Sequence, residues 1–284
     1  MTHDYVETNG MRLHVAQAGP EDGPLLILLH GFPEFWRGWR RQLPAFAAAG
    51  YRVWAPDQRG YNLSDRPQGV DAYNLDLLAA DVVGLIDAAG AEKAYLVGHD
   101  WGGAVAWWVA MRYPQRLHKL GMLNSPHPYA MARALRGWAQ RLKSWYMLLF
   151  QIPWLPEQLI RFNNWQAGVQ SLVKSSRRGT FDEADLAAYR QAWAQPGAMT
   201  AMLNWYRAMA QHPPQGSRKT RVTVPTLVLW GVRDTFLGPE LAEMSVEMCD
   251  NGRFHLIEGA THWVQHEAAD EVNRRLLDFF AANA

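Results

Sequence analysis

A single cysteine, Cys249, among 284 residues excludes any intramolecular disulfide framework. No apolar run approaches the ~18 residues that a membrane-crossing helix needs. The first residues, Met1-Thr2-His3-Asp4, lack the basic segment and apolar stretch of a secretion signal, so none is expected. Charge of one sign is also missing. The formal balance is +1, which favours neither nucleic acid nor an acidic membrane as a partner. Internal repeats and low-complexity tracts are absent. These absences lead to an expected cytoplasmic protein whose partner is a small molecule. They do not fix its oligomeric state.

What is present is enough for a large core: 49% hydrophobic and 19% charged residues over a length that suits one domain, or one domain with an insertion. Short apolar runs alternate with helical periodicity. Strands are expected at residues 13–18, 25–29, 52–55, 94–97, 120–123, 226–230 and 254–257. Helices are expected at 73–89, 104–113, 239–248 and 264–282. Such alternation predicts a mostly parallel sheet flanked by helices, with its functional site at the carboxyl ends of the strands. From 127 to 218 the rhythm stops and the chain reads as helical, with His212-Pro213-Pro214-Gln215-Gly216 as an exit linker. The expected organisation is therefore a core from 1–126 and 219–284, and a helical cap, 127–218, inserted above the strand ends. Tryptophan is abundant, at 14 residues. Trp138, Trp145, Trp154, Trp165 and Trp205 fall in the insertion and suggest an aromatic or bulky apolar ligand.

The run Gly98-His99-Asp100-Trp101-Gly102-Gly103 joins the expected strand at 94–97 to the helix that follows. A strand, a tight glycine-flanked turn and a helix form the nucleophile elbow G-x-S-x-G, here with aspartate at the tip. A serine that attacks an sp³ carbon forms an ether, which water does not readily cut. A carboxylate forms an ester, which water can hydrolyse at the carbonyl. Asp100 therefore points to an electrophilic alkyl carbon.

Downstream, Asp234 and His262 each lie just past an expected strand, on the same sheet edge and in the order nucleophile, acid, histidine. His262 fits a general base acting on water, oriented by Asp234. Alone, either residue would pass as structural; the shared edge and order make the case. His266, a turn into the closing helix, is read as facing elsewhere, and His99 as structural. Upstream, His30-Gly31-Phe32-Pro33 follows the strand at 25–29. The backbone N–H groups of Phe32 and Trp101 are the expected oxyanion donors. His30, Pro33, Trp145 and Trp205 are expected pocket walls. No Cys/His cluster offers a metal site, and no cofactor is called for.

These segments, with Ala260-Thr261-His262-Trp263-Val264-Gln265-His266-Glu267, resemble the epoxide hydrolase branch of the α/β-hydrolase superfamily over nearly the whole chain. Within the insertion, Ser144-Trp145-Tyr146-Met147-Leu148-Leu149-Phe150-Gln151 and Leu203-Asn204-Trp205-Tyr206-Arg207 resemble the segments that carry that branch's two ring-opening tyrosines. The resemblance implies an α/β-hydrolase fold, an Asp100–His262–Asp234 triad, and Tyr146 and Tyr206 as the pair that holds the oxygen of a small apolar or aromatic epoxide. Two phenols opposite a carboxylate also make chemical sense, since ring opening creates an alkoxide and a phenol stays protonated at neutral pH. The dehalogenases share the aspartate nucleophile. Haloalkane dehalogenases often carry Asn where Phe32 stands, and fluoroacetate dehalogenases usually carry Arg where Trp101 stands; both departures favour epoxides. A non-catalytic receptor reading fits less well, because that class usually keeps a serine.

Overall fold

The computed structural model describes residues 1–213 and 221–282. Its strands, β1 (Thr2–Thr8), β2 (Met11–Ala18), β3 (Leu25–Leu29), β4 (Arg52–Pro56), β5 (Ala94–His99), β6 (Leu117–Leu123), β7 (Thr226–Gly231) and β8 (Gly252–Ile257), form one sheet in the order β1-β2-β4-β3-β5-β6-β7-β8. The pairs β1–β2 and β2–β4 are antiparallel and the remaining pairs parallel. β1 was not anticipated. It is a polar edge strand, mostly exposed, and is held by a two-residue turn in which Asn9 and Gly10 both have positive φ.

Alternation along β3 divides the core. Leu25, Ile27 and Leu29 join the buried cluster on one face, and Leu26 and Leu28 join the cluster on the other. This is why the strand reads as an unbroken apolar run. Helices α1 (Gln42–Ala48), α2 (Leu75–Ala88) and α3 (Trp101–Arg112) complete the first half of the core. The expected helix at 73–89 starts later than its periodicity suggested. Asn74 caps it by accepting the Leu77 N–H at 3.1 Å, and Tyr73 is left in the preceding turn.

Between β6 and β7 the described residues contain helices only: α4 (Pro128–Ala134), α5 (Trp138–Lys143), α6 (Tyr146–Leu149), α7 (Leu155–Ser175), α8 (Glu183–Trp193) and α9 (Ala198–Gln211). α7 is interrupted at residues 162–165, where Asn163, Asn164 and Trp165 have positive φ. Part of the expected exit linker, Pro214-Gln215-Gly216, and the boundary at 218 lie outside the described residues. The layer is tied to the rest of the chain by specific bonds. Trp193 donates its indole N–H to the Pro33 carbonyl at 2.6 Å, and Arg40 pairs with Asp185 at 2.6 Å. After β7 come α10 (Glu240–Val246), α11 (Val264–Glu267) and α12 (Ala269–Ala281). The closing helix expected at 264–282 is therefore two helices, because Ala268 leaves helical geometry (φ −127°, ψ 40°).

Candidate active site

The site begins at the turn between β5 and α3. Asp100 sits at its tip with φ 49° and ψ −118°, a conformation uncommon for a residue with a side chain. Two close approaches make it possible. A Cβ on Gly102 would collide with the Leu29 and His30 carbonyls, and one on Gly31 would overlap Asp100 itself. The tip is pinned by Asp100 N–H to the Leu123 carbonyl (3.3 Å) and by the Ser125 hydroxyl to the Asp100 carbonyl (2.8 Å). Asp100 Oδ1 accepts the Phe32 N–H at 2.9 Å. Trp101 is the first residue of α3, so its N–H has no intrahelical partner and lies at the positive end of the helix dipole.

His262 approaches from the loop after β8. Its Nε2 is 3.6 Å from Asp100 Oδ2, and its Nδ1 is 2.7 Å from Asp234 Oδ2. Asp234 is almost fully buried and is met from several sides: by Asn124 Nδ2 (2.7 Å) and the N–H groups of Phe236 (2.7 Å) and Leu237 (3.0 Å). Burial opposes its charge, but His262, Asn124 and the Leu237 amide outweigh that and hold its carboxyl below the ordinary range. Burial likewise opposes a charged His262, yet Asp234 and Asp100 overcome it and lift its pKa to about 10. His262 is thus an imidazolium held between two carboxylates.

Asp100, His262, Tyr146 and Tyr206 line one cavity of about 520 Å³. A second space of about 240 Å³ also touches Asp100, Tyr146 and Tyr206, so the carboxylate and both phenols stand where the two meet. The tyrosine rings lie 6.2 Å apart between centroids, and Phe150 packs edge-on against both. Burial first, and then Asp100 among other neighbours, raises both phenol pKa values, so each keeps its proton. Tyr206 packs edge-on against the Trp101 ring, at 4.8 Å between centroids.

Pro33 and Trp145 line the larger cavity. His30 and Trp205 do not reach it. His30 is fully buried and accepts the Gln58 N–H at 3.1 Å, and Trp205 is buried with its indole on the Arg59 carbonyl at 3.1 Å. Trp138 and Trp154 point to solvent, at 77% and 68% exposure, so of the five tryptophans expected there only Trp145 lines this cavity, whose other aromatic walls include Phe32, Phe150, Phe236 and Trp263. His99 lies beneath the site, with Nε2 on the His262 carbonyl at 2.9 Å. His266 donates to the buried Glu34 at 2.7 Å and accepts from Arg40, which turns it away from Asp100. Sequence reasoning missed Asn124 and Glu34. Asn124 follows β6 on the same sheet edge as Asp100 and Asp234, and that position was a signal for it. Glu34 closes the His30-Gly31-Phe32-Pro33-Glu34 segment of the resemblance, but no role was drawn for it, because its partners Tyr189, Gln265 and His266 are far away in sequence.

The α/β-hydrolase fold family matches residues 24–269. The chain belongs to that superfamily, in the branch that holds the epoxide hydrolases. It is 47% identical over 276 residues to the AB hydrolase superfamily protein YfhM of Bacillus subtilis, covering 97% of this chain and 96% of that protein. It is 40% identical over 287 residues to epoxide hydrolase 4 of Homo sapiens, covering 98% of this chain and 78% of that protein. Among solved structures, the Bacillus megaterium epoxide hydrolase in complex with an inhibitor superimposes with a TM-score of 0.89 at 32% identity, covering 98% of this chain and all of that one.

Proposed function

We propose that this hydrolase converts epoxides to vicinal diols through an ester on Asp100. The observation that carries the reading is a single cavity lined by the pinned Asp100, by His262 with its Nε2 3.6 Å from Asp100 Oδ2, and by the phenols of Tyr146 and Tyr206. Asp100 Oδ2 attacks a ring carbon and the C–O bond breaks. Tyr146 and Tyr206 donate to the departing oxygen, which takes the proton that His262 releases and becomes the first hydroxyl. Esterification removes the Asp100 charge. One of the two carboxylates that raised the His262 pKa is then neutral, so the ring gives up its proton more readily and becomes a base. His262, oriented by Asp234, takes a proton from water. The hydroxide adds to the ester carbonyl, and the N–H groups of Phe32 and Trp101 hold the oxyanion. Collapse breaks the bond between the carbonyl carbon and the substrate oxygen; the proton held by His262 passes to that oxygen as the second hydroxyl, and the proton of the added hydroxide returns to His262, leaving Asp100 ionised. No step calls for a metal or a cofactor.

In this reading residues 127–218 form a cap that supplies the tyrosines, and 1–126 with 219–284 form the core that supplies the triad. The substrate class is a small apolar or aromatic epoxide. The Bacillus megaterium relative, in a mutant form, has been solved with its product (R)-3-[1]naphthyloxy-propane-1,2-diol, which supports that class. Dehalogenation by the same triad is the second reading. It is disfavoured because Phe32 brings no side-chain donor where haloalkane dehalogenases often carry Asn, and Trp101 stands where fluoroacetate dehalogenases usually carry Arg. The test is intact-protein mass spectrometry on His262→Gln with an aryl epoxide, a bromoalkane and fluoroacetate, each separately. An adduct with the mass of the whole epoxide on Asp100 supports the proposal. An adduct only from a halide, with the mass of the alkyl group without halogen, makes the protein a dehalogenase, and no adduct from any of the three points to another substrate or a binding protein.

A further inference from the structure

The cap carries its apolar side chains on the outside in one stretch of chain. Of the fourteen exposed large apolar residues among those described, nine lie between Trp138 and Phe162. Their spacing is amphipathic: Trp138 and Leu142 lie one turn apart on α5, and Leu155 and Leu159 one turn apart at the start of α7. Trp154, Leu148 and Phe162 are 68–77% exposed. Solvent-facing apolar residues scattered singly are ordinary, but a run of this density marks an interaction surface.

Charge identifies what meets it. From 127 to 181 the sequence has eight Lys and Arg and one carboxylate, Glu157. Glu157 is buried and paired with Arg207 at 2.8 Å, so no carboxylate in this stretch reaches solvent. Arg136, Arg141 and Arg161 are exposed beside the apolar residues, and Arg141 lies over the Trp138 ring at 5.5 Å. The overall balance of +1 conceals this local cationic face. A second copy of the chain on a two-fold axis would set these cations against one another. An anionic bilayer complements both features, taking the indoles and aliphatic groups into its boundary and the guanidinium groups onto its phosphates.

We propose that the 138–162 face of the cap docks on anionic phospholipid membranes. Leu142 and Trp145 belong both to this face and to the wall of the 520 Å³ cavity. Docking therefore sets the cavity mouth at the lipid boundary, where apolar compounds concentrate, and such a substrate enters without crossing bulk water. Membrane docking goes beyond the proposed catalytic reading, and its test does not depend on epoxide turnover.

The test is flotation of the full chain with vesicles of phosphatidylcholine alone and of phosphatidylcholine mixed with phosphatidylglycerol. Binding to the mixed vesicles is expected to be about tenfold tighter or more and to weaken as salt is added. Trp154→Ser with Phe162→Ser, and separately Arg136→Glu with Arg161→Glu, should each lower it about tenfold with unchanged thermal melting. Equal or absent binding to the two vesicle types overturns the proposal. So does a dimer in light scattering that Trp154→Ser with Phe162→Ser converts to monomer, which would make a second copy the occupant.

Discussion

His262 Nε2 faces one oxygen of Asp100, Oδ2, at 3.6 Å, and the other oxygen is held by the Phe32 amide. The two oxygens thus have separate duties in the proposed cycle: Oδ2 attacks, and Oδ1 stays in place as the ester carbonyl. Asp100→Ala should lower diol release by about 10⁴-fold or more, as for other catalytic residues that act as a unit. Chromatography of the diol checks this, and turnover near the wild-type rate would remove Asp100 as nucleophile.

Tyr146 and Tyr206 line the same cavity as Asp100, and in the proposed cycle they donate to the epoxide oxygen. Either change to Phe should slow ester formation by about 10²-fold, and the pair together by more. Rapid-quench measurement of the adduct isolates that step from hydrolysis. An unchanged alkylation rate in the double variant would place the ring-opening donor elsewhere.

Asn124 donates to Asp234 Oδ2, the oxygen that also meets His262. Asn124→Ala leaves that carboxylate with fewer donors and a less fixed direction. Ester hydrolysis should slow by about tenfold, with alkylation less affected, as expected for a group that positions the base. Single-turnover kinetics separate the two steps. Equal losses in both would indicate a general structural effect.

The His262 pKa of about 10 makes a claim about stability as well as chemistry. A group whose pKa is raised by folding stabilises the native state fully below its ordinary value of 6.5, and that contribution is lost as pH rises through about 10. The urea midpoint of the wild type should therefore fall more steeply than that of His262→Gln between these pH values. Parallel curves would mean that the ring is not held charged.

Glu34 is a buried carboxylate that accepts from Tyr189 on α8 at 2.6 Å, from Gln265 at 2.8 Å and from His266 at 2.7 Å. Tyr189→Phe should cost about 2 kcal/mol, because it removes one hydrogen bond to a charge. Glu34→Ala strands several buried donors and should cost about 3–5 kcal/mol. Urea denaturation measures both. A cost near zero for Tyr189→Phe would mean that this bond adds nothing to the fold.

Much of the sheet was legible because β3, β4, β5 and β7 are short, mostly apolar runs bounded by turns, and β6 and β8 each end in apolar residues. The elbow was legible because Gly98, Asp100 and Gly102 are local to one another. Asp234 and His262 followed from where their strands end. β1 was hidden by its polarity, since an edge strand needs no apolar face. Trp205 and Trp145 have the same residue type and sit in the same insertion, yet one is packed behind the site and the other forms its wall. Periodicity marks a buried helix face without saying whether that face meets a core or a cavity. The break at Ala268 was invisible because alanine is a good helix former, and tertiary packing overrode that preference.

The left-handed backbone of Asp100 has one more consequence. With its φ at 49° and its carbonyl and N–H both tied, the residue has little torsional freedom left to lose when a substrate arrives. The entropy of aiming the carboxylate is surrendered once, when the chain folds, and not again at each encounter. Replacing a neighbouring glycine, Gly31 or Gly102, would therefore slow the chemistry by loosening or displacing that aim, even though neither glycine has a side chain to touch the substrate.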